Sequence, residues 1–261
     1  MTGLFPAGAW PWMAGLGGLI LGSFLNTLAL GLAGGASPWR ARSACPACGH
    51  RLAWFELVPL VSHAFLGGRC RYCRARLSLL YPLGEALTAL TALACFWRFG
   101  PTLEAWIALA FCLVLLVCAL VDIKSMLVPD SLALPALALA LIFSPWLPGP
   151  GFWPALAGAM FIGGGMWGVA LLFRSWRGLE GLGLGDVKLG ALMGAFLGPV
   201  GGGLALGLGA AAGLVFYLAL LAAGRVAWRS RLPFAPFLAL GGAAMCLAGD
   251  WLGPLLLGVW P

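Results

Sequence analysis

Apolar residues fill long windows of the chain, near 12–34, 80–98, 104–121, 130–147, 153–173, 187–200, 202–223 and 234–259. All but the sixth reach about 18 residues, the length at which an apolar run reads as a transmembrane helix. The sixth is the shortest and is rich in glycine. The pattern predicts an all-α polytopic membrane protein of about eight transmembrane helices. The only long polar stretch, residues 35–79, divides the chain into three parts. These are a first transmembrane helix (1–34), a small loop domain (35–79) and a membrane domain (80–261). The first window has no basic residue ahead of it and no small-residue cleavage site after it. It reads as a retained helix rather than a signal peptide.

Composition strengthens this picture. The 261 residues are 62% hydrophobic and only 9% charged, where a soluble domain carries about a quarter charged residues. Basic residues outnumber acidic ones, 15 to 8. That excess would suit nucleic acid in a soluble protein, but in a membrane protein it marks cytoplasmic loops. The polar stretch holds Arg40, Arg42, Arg51, Arg69, Arg71, Arg74 and Arg76. Alternation then places Lys124, Arg174, Arg177, Arg225, Arg229 and Arg231 on the same side, with Lys188 at the inner end of the sixth window. Only Arg98 falls on the other side. The expected orientation has both termini outside and 35–79 in the cytoplasm. The expected partner is lipid, and no nucleic acid is called for.

Three carboxylates fall near the inner surface: Asp122, Asp130 and Asp186. Acidic residues in or beside apolar helices are costly, so each needs a reason. Asp130 follows Pro129 and opens an apolar run, which suits a helix N-cap. Asp186 suits one too, since glycines precede it. Asp122 closes its helix, where the macrodipole disfavours an anion, and is the hardest of the three to explain as structure. The topology returns the chain to the same depth at Asp122 and Asp186, so the two can meet. Two carboxylates at one site share a proton. The ionised one takes a proton from water while the protonated one polarises a carbonyl, which is peptide hydrolysis without a covalent intermediate. Gly183 and Gly185 permit close backbone approach there, or simply tight helix packing. Lys124 and Lys188 either bias the pair or snorkel to headgroups.

Cys45-x-x-Cys48 and Cys70-x-x-Cys73 lie in the cytoplasmic stretch. Paired C-x-x-C motifs at this separation read as a structural zinc site with four thiolate ligands. Disulfides are not expected on the reducing side of the membrane. Cys95, Cys112, Cys118 and Cys246 sit in apolar windows and read as small core residues. His50 and His63 are not needed as ligands and read as surface residues.

The segment "GLGLGDVKLGALMGAFLG" (181–198) resembles the G-x-G-D segment of the type IV prepilin peptidases, a family of membrane aspartyl proteases. "VDIKSMLVPDSLALP" (121–135) resembles that family's other aspartate segment. So do, in the family's order, "LGSFLN" (21–26), "CPACGHRLAWFELVPLVS" (45–62), "GGRCRYCRARLS" (67–78) and "YPLGEALTAL" (81–90) resemble its further motifs. The resemblance implies an inner-membrane enzyme that removes the short basic leader of type IV prepilins and prepilin-like secretion subunits at the cytoplasmic face. It makes Asp122 and Asp186 the catalytic pair and Asp130 the following Pro-Asp. From the helix ends, Asp186 is expected to be the base and Asp122 the protonated partner. The resemblance also implies N-methylation of the new terminus with S-adenosylmethionine, and Glu56 and Glu85 are the candidates for work near that amine. No G-x-G-x-x-G nucleotide loop accompanies them. The chain departs from the family's usual wording at Leu80, before "YP", and after Asn26. Two alternatives stand beside this reading. One is a peptidase without methyl transfer. The other is a non-enzymatic membrane scaffold or transporter.

Overall fold

The computed structural model describes residues 7–34, 45, 47–50, 53, 56, 58–146, 149–178, 182–227 and 230–258. Arg40, Arg42, Arg51 and Arg229, which contribute to the expected orientation, lie outside the described residues. The described residues are mainly helical, and their only β pairing is an isolated bridge between Arg69 and Arg76. The helices are α1 (Trp10–Ala33), α2 (Val61–Phe65), α3 (Leu80–Phe99), α4 (Leu103–Ser125), α5 (Asp130–Phe143), α6 (Phe152–Gly158), α7 (Gly164–Arg177), α8 (Leu184–Ala222) and α9 (Ala235–Leu257). A π-helical turn, Ala159–Gly163, joins α6 to α7 without a break. Two compact units divide at Leu109 and Ala110, inside α4.

In the first unit, α1 and α3 are antiparallel and lie backbone to backbone. A Cβ on Gly18 would come within 2.8 Å of Ala89 Cα, and one on Gly22 within 2.8 Å of Glu85 Cα. Lipid gives two apolar helices no hydrophobic reason to associate, so small residues that let backbones touch supply the packing instead. Trp12 of α1 meets Trp97 of α3 edge-on, and Trp106 of α4 meets Phe96 in the same way. These aromatics gather at one end of the unit. The polar residues Asn26, Tyr81 and Glu85 lie at the other.

The second unit contains α5 to α9 and most of α4. Its core joins Phe111, Leu115 and Cys118 of α4 to Leu189, Leu192 and Met193 of α8 and to Leu238 and Met245 of α9. The long α8 is not straight. Gly198 has φ 74° and ψ 178°, and Pro199 follows it. A Cβ on Gly202 would lie 2.8 Å from Gly194 Cα, although eight residues of straight helix would separate the two by about 12 Å. The chain therefore doubles back at Gly198, and α8 is a hairpin of two limbs. Its first limb runs against α6 and α7, and its second against α9, where Gly209 meets Phe237 and Gly241 meets Ala205.

The reversal accounts for the sixth and seventh apolar windows, so all eight windows are found as helical segments. Among the described residues, six helices are long and apolar enough to cross a membrane: α1, α3, α4, the continuous α6–α7, α8 and α9. Helix α5 has 14 residues and is shorter. The expectation of about eight full spans thus becomes six long apolar helices, one of them folded on itself, plus one short one. Cys95, Cys112 and Cys118 are buried, as expected of small core residues.

Candidate active site

Four element ends converge at one end of the second unit, and sequence dictates where each stops. Helix α4 ends when Met126 adopts φ 53° and donates its N–H to Asp122 O at 2.8 Å. A left-handed residue of this kind closes a helix by satisfying one of its orphan carbonyls. Pro129 then has an extended backbone, and α5 begins at Asp130. Gly183 is the N-cap of α8, and its carbonyl accepts the Asp186 N–H at 3.1 Å. A Cβ on Gly185 would lie 2.7 Å from Val128 Cβ. Only glycine lets the first turn of α8 press against the segment that links α4 to α5.

This packing brings Asp122 and Asp186 within Coulombic reach of each other. Asp122 is 6% exposed. Its Oδ2 accepts the Ala235 N–H at 2.9 Å, at the start of α9, and the Phe234 N–H also points to it. Asp186 is half-buried and lies in the first turn of α8, not at its cap. The Gly183 N–H donates to its carboxylate, the N3-to-N-cap half of a capping box.

The helix-end argument for their roles is corrected by this geometry. Asp122 does close α4, but it also occupies the positive end of α9. Both carboxylates are therefore held by the N–H groups of a helix start. Helix ends alone therefore do not distinguish the two carboxylates.

Asp130 is the first residue of α5, one position past the N-cap, which is Pro129. Its Oδ1 instead takes Lys188 Nζ at 2.5 Å. Lys188 is therefore paired rather than free to snorkel, and the pair ties the start of α5 to the first turn of α8. Lys124 is exposed at the end of α4.

The four cysteines converge in the first unit. Their sulfurs all lie within 4.8 Å of one another, and Cys45 Sγ is 3.7 Å from Cys73 Sγ. Zn–S bonds of about 2.3 Å in a tetrahedron would separate sulfurs by roughly 3.8 Å. The donor set fits a metal ion. The two motifs fold alike. Gly49 N–H reaches Cys45 O at 2.8 Å, and Cys45 N–H reaches His50 O at 2.9 Å. Arg74 N–H reaches Cys70 O at 3.0 Å, and Cys70 N–H reaches Ala75 O at 2.9 Å. Gly49 and Arg74, at the same place in each knuckle, both have positive φ. The N–H groups of Cys48 and Ala47 pull the Cys45 thiol down to about 6. The Ala75 N–H pulls the Cys73 thiol down, but burial and the other cysteines outweigh it and push the thiol up to about 12. A metal bound here displaces protons from thiols, so its binding weakens as pH falls.

Glu56 and Glu85 both lie buried in the same unit. Glu85 Oε2 accepts the Leu60 N–H at 2.8 Å, and Ser23 donates to the same carboxylate. Asn26 Nδ2 donates to Tyr81 O at 2.7 Å. The motifs "LGSFLN" and "YPLGE" are thus two sides of one polar contact. Ala235, Phe234, Leu60 and Asn26 carry no chemistry in their residue types that a sequence would flag. Three of the four act through backbone N–H groups.

Residues 16–99 match the Bacterial Peptidase A24 N-terminal domain, and residues 109–227 match the Type IV leader peptidase family. Among curated proteins, a prepilin leader peptidase/N-methyltransferase of Burkholderia pseudomallei (strain 1026b) is 39% identical over 208 residues, covering 80% of this chain and 67% of the relative. A protein of the same name in Pseudomonas aeruginosa is 36% identical over 258 residues, covering 89% and 88%. Another, in Bacillus subtilis, is 36% identical over 239 residues, covering 89% and 92%. No solved structure gives a significant match.

Proposed function

Since the chain belongs to the type IV leader peptidase family, we propose that it is an aspartyl endopeptidase that removes the leader of prepilins and prepilin-like secretion subunits, and that it methylates the new terminus. The observation that carries the first half is the meeting of Asp122 and Asp186, each anchored by backbone N–H groups, at the mouth of an apolar helical unit. One carboxylate, ionised, takes a proton from a water molecule as its oxygen bonds to the scissile carbonyl carbon. The other, protonated, gives its proton to the carbonyl oxygen. The tetrahedral diol then collapses, the C–N bond breaks, and the leaving nitrogen takes a proton from the pair. Gly183 and Gly185 support the site by letting backbone close around it.

The protein is a multi-pass membrane protein. Its site lies at the cytoplasmic face of the inner membrane in this reading, with 35–79 on the same side. Cys45, Cys48, Cys70 and Cys73 hold a structural zinc ion that closes the loop domain. S-adenosylmethionine supplies the methyl group as an electrophilic sulfonium carbon. The described residues contain no strand–glycine-loop–helix cradle for it, so it is assigned no residues.

The test is cleavage of a prepilin leader peptide fused to its apolar helix. Asp122→Asn and Asp186→Asn should each lower kcat by about 10²–10⁴-fold. Asp130→Asn breaks only an exposed ion pair, worth about 0–1 kcal/mol, and should keep cleavage within a few-fold. Substantial cleavage by either of the first two variants would overturn the assignment. Cleavage without methyl transfer from a labelled donor would reduce the protein to a peptidase.

A further inference from the structure

Glu56 is 7% exposed, and its two carboxylate oxygens are treated differently. Oε2 accepts the Ala53 N–H at 2.8 Å. Oε1 is buried and, among the described residues, has no hydrogen-bond partner. A buried carboxylate oxygen without a donor is costly, and native proteins rarely leave one so. Its neighbourhood is tightly fixed. Four residues on, Leu60 has φ 58° and ψ −44°, and Val61 N–H reaches Pro59 O at 2.6 Å. That is a γ-turn of the rare, positive-φ kind. The Leu60 N–H is gripped by Glu85, itself buried against α1. The Ala53 and Leu60 N–H groups are thus each held by a buried carboxylate, and among the described residues Glu56 Oε1 is the buried side-chain oxygen left without a donor.

We propose that Glu56 Oε1 receives the N–H groups of a primary amine, namely the free α-amino terminus of the cleaved substrate. A cationic or strongly donating nitrogen is the ligand class that an unpartnered buried carboxylate oxygen selects. The inference deepens the methyl-transfer half of the proposed function, because the amine that must be held is the methyl acceptor. It does not depend on a methyl donor, since amine recognition is measurable without one.

The experiment uses the purified full-length protein in lipid nanodiscs and two peptides. Each carries the apolar helix of a mature pilin; one has a free N-terminus and the other is N-acetylated. Binding of both is measured without donor, and methyl transfer to the free one is measured with labelled S-adenosylmethionine. The wild type should bind the free amine at least tenfold more tightly than the acetylated peptide. Glu56→Gln should abolish that preference and raise KM for the amine peptide at least tenfold. Glu56→Asp keeps the charge but withdraws it by one methylene, and should recover part of the preference. It serves as the test variant if the glutamine form fails to fold, as judged by thermal unfolding and bound metal. No preference for the free amine in the wild type, or an undiminished preference in both variants, overturns the proposal. A wild type that prefers the free amine through Glu56 yet transfers no methyl group overturns bifunctionality alone.

Discussion

Gly185 has no functional group, yet it decides where Asp186 stands. Its missing Cβ is the gap through which α8 reaches Val128, three residues past the end of α4. Gly185→Ala inserts a methyl 2.7 Å from Val128 Cβ, an overpacking that costs about 1–3 kcal/mol. Moving Asp186 by even an ångström should lower kcat/KM toward 10²-fold. Gly183→Ala should cost less on both counts, because its φ of −69° suits alanine and its nearest obstacle, Asp186 Oδ2, is 3.3 Å away. Thermal unfolding and cleavage kinetics of the two variants check the order. At this scale the candidate groups could be picked out in the sequence, because carboxylates and paired cysteines declare their chemistry by type and spacing. Their partners were not. The donor to Asp122 is the backbone of Ala235, 113 residues away, and every residue but proline has such an N–H. The helix-end argument erred for the same reason. It considered the helix that carries Asp122 and not the one that begins beside it.

Helices were legible from their apolar windows, with ends close to those observed, because lipid requires each spanning segment to satisfy its own backbone. Connections were harder. The 187–200 and 202–223 windows are separate limbs, but the turn between them lacks the polar residues that normally mark a loop. Gly198 alone makes it, in a region of backbone space (φ 74°, ψ 178°) that is open essentially only to glycine. Gly198→Ala should therefore destabilise the protein by about 1–3 kcal/mol, read as a lower unfolding temperature in detergent. An equally stable variant would show that the chain does not double back there. Arg74 shows the opposite case. It holds a positive φ that Gly49 holds in the matching knuckle, so the likeness of the two knuckles was hidden by residue type and visible only in backbone.

For the whole molecule, orientation rests on where charge and aromatics fall. Exposed Trp12, Trp97 and Trp106 lie at α1, α3 and α4 ends remote from Glu85, and exposed Trp146, Trp153 and Trp251 lie at or near α5, α6 and α9 ends remote from Asp122. Tryptophan collects at both membrane interfaces, so these positions suit the outer face in the proposed topology, while Trp176, exposed beside Arg174 near the end of α7, suits the inner one. Alkaline phosphatase fused after Thr102 should be active in cells, and fused after Arg225 inactive. The reverse pattern would invert the topology and put the aspartate site on the wrong side for a cytoplasmic leader.

Helix α5 and the first limb of α8 set out from the same place, the Lys188–Asp130 pair. Fourteen residues of α5 rise about 21 Å, and the limb from Leu184 to Gly198 is only one residue longer. A hydrocarbon core is about 30 Å thick. Lipid beside these two segments must therefore compress or tilt its chains to meet them, a local mismatch that thins the bilayer. In the proposed topology this puts a shallow place in the membrane next to the aspartates. A substrate helix lying there would find its polar end less deeply submerged, and water would have a shorter way in to the peptide bond.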